Sequence, residues 1–231
     1  MTAARHQAVL SNAFRRSMIS HKPGGTYQIA LAFAKVVAMC GGIAALGGCA
    51  FTTGHVNVAY QAAGNATKVA LPDSPPVSVE VSDKRPSQAV GQKINGFGMK
   101  TADIVADNDV ASTLKGAFES ELKARGFTEA AGGDLISVRV YEFQNQYTLG
   151  FFSGDATASL GMDIAVKRPD GSVAYQKTIT GQAKDWVEIA GEDNAQRVLN
   201  LAMQDALNKV FDDSDFIAAL KNPAPPAKAA S

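Results

Sequence analysis

Side chains able to act as nucleophiles, to exchange protons at neutral pH or to hold a metal are few in this 231-residue chain. The histidines are His6, His21 and His55, and the cysteines are Cys40 and Cys49. Beyond residue 55 neither type occurs. A Ser–His–Asp triad, a cysteine nucleophile or a zinc site of His and Cys therefore has nothing to be built from there. Carboxylates, hydroxyls, Lys and Arg remain. Two converging carboxylates can hydrolyse a glycan, and the densest acidic groups are Glu188, Glu192 and Asp193, then Asp212, Asp213 and Asp215. Both groups stand where helices are expected to start, and acidic residues at that place cap the helix and complement its dipole. Gly96-Phe97-Gly98 lacks the third glycine and the strand-to-helix setting of a dinucleotide site. Asp103, Asp107 and Asp109 lack the spacing and glycine of a calcium loop. Ser153, in "FFSGD", lacks the flanks of a nucleophile elbow. No catalytic residue, metal site or cofactor is expected.

One cysteine does have a chemistry written around it. In "AALGGCAFTTG" the order Leu46, Gly47, Gly48, Cys49 resembles the bacterial lipobox, an aliphatic residue and two small ones before an obligatory cysteine. The small residues admit the backbone to a signal peptidase, the thiol takes a diacylglyceryl group, and cleavage frees an amine that is acylated in turn. Several chains are what lasting attachment needs, because one gives only marginal, reversible binding. Cys40 follows Val37-Ala38-Met39, and bulky Met39 stands where a small residue is required. The segment ahead of Cys49 fits this reading. It carries Arg5, Arg15, Arg16, Lys22 and Lys35 without an acidic residue, and its clean apolar run, Val36 to Leu46, is too short to span a bilayer. Met1 or Met18 serves equally as its start. Ala50 after the cysteine, in place of Asp, matches sorting to the outer membrane. The expected result is an outer-membrane, lipid-anchored chain facing the periplasm, with palmitate or a similar acyl group on Cys49 and no other cofactor.

Removing those five basic residues from the 22 in the chain leaves 17 against 22 acidic ones after Cys49. A net acidic domain does not suit nucleic acid, where a concentrated basic surface supplies most of the affinity.

The expected organisation is a signal peptide over 1–48, the acylated cysteine and a flexible tether over 49–75, a domain over 76–220, and a disordered Pro/Ala-rich tail over 221–231. "VSVEVSD" alternates as a half-buried strand. Residues 89–106 read as a turn-rich excursion with one or two short strands. A helix over about 109–125 carries Val110, Leu114, Ala117, Phe118, Glu121 and Leu122 on one stripe, capped by Asn108 or Asp107 and stopped by Gly126. "LISVRVYEF", "ASLGMDIAV" and "SVAYQKTIT" alternate as strands, the last two joined by a Pro-Asp-Gly turn. A final helix, about 193–211, buries Leu199, Ala202, Met203, Ala206 and Val210, and Asp212, Asp213 or Ser214 caps a short helix through Phe216 and Leu220. This is an α+β two-layer domain, an antiparallel or mixed sheet of about four or five strands with two main helices on one face. Its other face carries Ser137, Arg139, Tyr141, Ser159 and Asp163. In "TLGFFSGD", Phe151 and Phe152 cannot both point inward, which makes that loop a candidate interaction tip for lipid or a partner.

Taken together, the Cys49 lipobox, "VSVEVSD", "NDVASTLKGAFESELKARGF", "DLISVRVYEF", "MDIAVKRPDGSVAYQKTITG", the last helix and "DFIAAL" resemble the YajG-type family of bacterial outer-membrane lipoproteins. The resemblance spans nearly the whole mature domain and implies its fold and the absence of an established enzymatic role. The long N-terminal region, the Phe151–Phe152 loop and the Pro/Ala tail depart from the family pattern. The expected function is a non-enzymatic interaction domain meeting an envelope protein, a glycan or a lipid. The alternatives are an accessory subunit of an envelope transport or assembly machine, and a peptidoglycan-active enzyme that uses carboxylates alone.

Overall fold

A computed structural model describes residues 51–62, 66–150, 154–188 and 190–222. The signal segment with Leu46, Gly47, Gly48 and Cys49, the Phe151–Phe152 pair and the tail from residue 223 lie outside them. In chain order the elements are β1 Gly54–Val56, β2 Val77–Asp83, β3 Ala89–Ile94, β4 Lys100–Ala106, α1 Val110–Ala124, β5 Asp134–Leu149, β6 Gly154–Lys167, β7 Val173–Val187, α2 Glu192–Phe211 and α3 Ser214–Lys221. The fold is α+β, with the helices expected from the sequence and one more sheet than expected.

The main sheet has the order β2-β5-β6-β7; β2 runs parallel to β5 and the other pairs are antiparallel. Alternation sorts its faces. Val77, Val79, Ile136, Val138, Val140, Leu160, Met162, Ile164, Val166 and Ile179 are buried under the helices. An irregularity between Val140 and Glu142 shifts the register by one, so Phe143 regains the inner face out of step with Val140. The strands run further than their apolar patterns. β5 continues through the polar "QNQYTL" because pairing with β6 satisfies its backbone whether or not its side chains are buried.

α1 buries the six residues its stripe predicts. Its cap lies one residue later than expected: the Asp109 carboxylate accepts the Ser112 amide at 2.7 Å. Asn108 is used elsewhere, accepting the Val58 amide at 2.9 Å and donating to the Val58 carbonyl at 2.8 Å. Phe118, Phe211, Phe216 and Tyr175 form a chain of tilted and edge-on ring contacts, with centroids 5.4–5.7 Å apart, that ties α1, α2, α3 and β7 together. Where α2 crosses β7, Gly181 lies so close that a Cβ there would sit 2.2 Å from the Ala202 carbonyl oxygen.

The largest difference from the sequence reading is at the front of the domain. Residues 49–75 read as an aperiodic tether, yet β1 pairs parallel with β4, Gly54 opposite Ile104 and Val56 opposite Ala106. The irregular excursion is thereby a second sheet, β1-β4-β3. Val56 and Val58 are buried, and the segment is strapped down on both sides. Gln196 and Asn200 of α2 accept the Asn57 and Ala59 amides at 2.8 and 2.9 Å. His55 pairs with Asp107 at 2.6 Å, and the Tyr60 hydroxyl donates to buried Glu121 at 2.5 Å. Arg125 holds the second Glu121 oxygen and stacks on Phe211 with 4.4 Å to the ring centroid. Burial, and then the Glu121 carboxylate, push the Tyr60 phenol upward. The sequence conceals this strap because three buried residues are too few to set up a period, and its partners are side-chain amides far along the chain.

Asp213 gives the fold an acid-sensitive joint. It caps α3 through the Asp215 amide at 2.9 Å and accepts Lys177 at 2.8 Å and the Tyr175 hydroxyl at 2.9 Å. The Lys177 hydrogen bond, joined by those from Tyr175 and the α3 amides, outweighs burial and lowers its carboxyl from 3.8 to about 2. A depressed folded-state value stabilises the fold above 3.8, and that contribution disappears as pH falls towards about 2. Thermal melts across this window are expected to fall less steeply for Asp213→Asn than for the unaltered protein; equal slopes refute the assignment.

Candidate interaction face

Among the described residues no element covers the outer face of the main sheet, and strand pairing dictates how its side chains line up. Reading across β5, β6 and β7, the rows are Thr148–Asp155–Trp186, Gln146–Thr157–Lys184, Gln144–Ser159–Gln182 and, beyond the register shift, Arg139–Asp163–Thr178. In one half the polar groups satisfy one another. Arg139 reaches Asp163 at 2.5 Å and the Thr178 hydroxyl donates to the same carboxylate at 2.6 Å. Those two contacts, Thr178 first, hold the Asp163 carboxyl below the usual range. Tyr141 lies flat over Gly161, where a Cβ would come within 2.5 Å of its ring. Ser159 and Gln144 both donate to Glu142, at 2.5 and 3.0 Å. Of the outer-face residues read from the sequence, Arg139, Tyr141, Ser159 and Asp163 are thus engaged within the face.

The other half pairs Lys184 with Asp155 at 2.8 Å but leaves its side-chain amides open. Gln144, Gln146, Thr157, Ser159, Gln182 and Lys184 line a depression of about 440 Å³. The side-chain amides of Gln146 and Gln182 have no hydrogen-bond partner among the described residues. Trp186, next along β7, is 56% exposed. Neither Trp186 nor the glutamines stand out in the sequence. The signal was the alternation of Gln182, Lys184 and Trp186 along β7, blurred by polar Asp185 between the last two. On the opposite side of β7, Lys177 pairs with Asp213 and Asp185 with Arg197.

Glu192 and Asp213, one from each acidic group that could have formed a hydrolytic pair, are taken up in structural contacts. Glu192 is paired with Lys93 at 2.7 Å, Asp213 caps α3, and Asp103 pairs with Lys100. Burial pushes the Asp134 carboxyl upward in spite of its partner Arg168, and this pair is sealed under the β6–β7 turn. Tyr147, driven to about 12 by burial, donates to the Gly191 carbonyl. Among the described residues no three His, Cys, Asp or Glu side chains converge to hold a metal ion, and no helix is long and apolar enough to cross a membrane.

A family model described as "Uncharacterized lipoprotein" matches residues 65–221, more than half of the chain. The chain belongs to this lipoprotein family. The match agrees with the YajG-type resemblance of its motifs, and it makes the protein a membrane-anchored component of the cell envelope. β1 and most of the strap precede the matched residues. No curated protein matches the chain. Among solved structures, a Xanthomonas campestris protein of the DUF330 family is 11% identical, covering 73% of this chain and 93% of its own, with a TM-score of 0.44. A structure described as a homolog of the neuraminyllactose-binding hemagglutinin from Helicobacter pylori is 11% identical over 72% of this chain and 97% of its own, TM-score 0.42. A minor lipoprotein from Acinetobacter baumannii is 15% identical over 58% and 91%, TM-score 0.35. These scores are too low for anything about this lipoprotein's role to follow from them.

Proposed function

We propose that this lipoprotein is a non-enzymatic interaction domain, anchored to the outer membrane by acylated Cys49 and facing the periplasm, that binds an envelope protein through the open half of its outer sheet face. The observation that carries this reading is the contrast within one face. Charges are neutralised in place at both ends, Arg139 by Asp163 and Lys184 by Asp155, whereas Gln146, Gln182 and Trp186 leave donors, acceptors and an indole unengaged around a depression. Unpaired amides match the hydrogen-bonding groups of a polypeptide, and exposed Trp is a side chain that concentrates binding energy at interfaces. The scattering of carboxylates into caps and ion pairs supports a role in binding over one in hydrolysis.

The test is a photo-crosslinking residue at position 182 in growing cells, with one at Lys115 on α1 as the comparison. An adduct of defined mass from position 182, absent from position 115 and reduced about tenfold by Trp186→Ala at unchanged melting temperature, is expected. Absence of an adduct from position 182 refutes the proposed face.

A further inference from the structure

The β3–β4 turn projects an apolar tip from the small sheet. Phe97 is 90% exposed and Met99 59% exposed, and Phe51, the first described residue, is 73% exposed. The tip is held open by its own hydrogen bonds. The Asn95 side-chain oxygen accepts the Phe97 and Met99 amides, each at 3.0 Å, and the Gly98 amide donates to the Asn95 carbonyl at 2.9 Å. Gly98 has φ +77°, a conformation that side chains resist, so the turn is built to keep Phe97 at its apex.

Single exposed apolar residues are ordinary, and Leu71, Val173 and Leu201 are examples here. Chain connectivity separates the tip from them. Two peptide links join Phe51 to Cys49, a span of at most about 8 Å in any conformation. β1 runs parallel to β4, so tracing β1 back from Gly54, opposite Ile104, leads towards Lys100 and the turn. Gly54 also lies against Lys93, two residues before Asn95. In place of a long tether, five peptide links join Cys49 to Gly54 at the start of β1, which keeps the acyl chains within about 18 Å of it.

We propose that the Asn95–Met99 turn and Phe51 seat in the headgroup region of the leaflet that holds acylated Cys49, a second contact that fixes the orientation of the domain on the membrane. This rests on the acylation of Cys49 proposed above. With the tip in the leaflet, β4 leads away from the surface, and Ala106 and the α1 start beyond it stand about 20 Å further out at the usual rise per strand residue.

The acylated mature protein, reconstituted into vesicles of phosphatidylethanolamine and phosphatidylglycerol, provides the test. Lys100→Cys places a free thiol beside the tip for a fluorophore, and Ser112→Cys places one in the first turn of α1. Cys40 has left with the signal, and the Cys49 sulfur is alkylated. Iodide from the water is expected to quench the label at position 100 about threefold less than that at position 112, the protection that shallow burial of an apolar tip in the interface gives. A quencher carried on lipid headgroups should show the reverse preference. Phe97→Ser with Met99→Ser, both exposed and so without effect on melting, should restore iodide access at position 100. Equal iodide quenching at the two positions, in protein whose N-terminal peptide carries its acyl groups, overturns the second contact alone. The same holds if protection is seen only when other proteins are present. An N-terminal peptide without acyl groups overturns the Cys49 anchor and the inference with it.

Discussion

Gly181→Val is expected to lower the thermal midpoint by about 10 °C, equivalent to about 3 kcal/mol for a domain of this size. The reason is geometric. A Cβ at this position would lie 2.2 Å from the Ala202 carbonyl oxygen and 2.5 Å from the Ala206 amide nitrogen. Both are main-chain atoms in the middle of α2 and cannot rotate aside, so the helix would have to lift from the sheet along its buried stripe of Ala195, Val198, Ala202 and Ala206. Small residues on both sides of this crossing permit the approach, and the approach brings Asp205 and Lys209 within reach of the β7 edge. Asp205 accepts the Gln182 amide at 2.8 Å, and Lys209 donates to the Thr180 carbonyl at 2.9 Å. Backbone groups of an edge strand that would otherwise be free to pair with another chain are occupied in this way. Denaturation followed by circular dichroism checks the prediction; an unchanged midpoint would mean that the helix accommodates the added methyl groups.

Glu121→Ala should cost a similar amount, about 3 kcal/mol, because it leaves a guanidinium and a phenol without their buried partner. Glu121 is 2% exposed and joins Tyr60 of the strap to Arg125 at the end of α1. The variant is therefore expected to have a local consequence as well: faster proteolytic cleavage between residues 51 and 62 than in the rest of the domain. Tyr60→Phe removes the hydrogen bond to Glu121 and a long one accepted from Gln204 at 3.5 Å, and should cost about 1 kcal/mol. If Glu121→Ala melts lower but the strap stays as resistant as before, then Val56, Val58 and the amides of Asn108, Gln196 and Asn200 hold it without Glu121.

Much of the main layer is legible from the chain alone. The α1 stripe from Val110 to Leu122, the alternation in β2, β5 and β6, and the Pro-Asp-Gly turn at Arg168–Gly171 each rest on contacts between near neighbours, which periodicity records. Gly126 ends α1 as its position suggests, and Phe127 folds back so that its amide reaches the Leu122 carbonyl at 3.1 Å. What periodicity cannot record is pairing at long range. β1 has three residues, and its partner lies fifty positions away; no local pattern distinguishes "GHV" from the loop around it. Likewise, the period of two marks Arg139 and Asp163 as facing outward, but only the β5–β6 register places them opposite each other and converts two exposed charges into one neutral pair.

The class of the fold and the faces of its helices and strands were legible in the chain alone, because each is a property of consecutive or periodically spaced residues. Only the folded chain reveals that the segment expected to be a tether is a strand and a strap, and that the outer face divides into a satisfied half and an open half around Gln182 and Trp186. Those outcomes depend on which distant segments meet, and a one-dimensional pattern carries no distances between them.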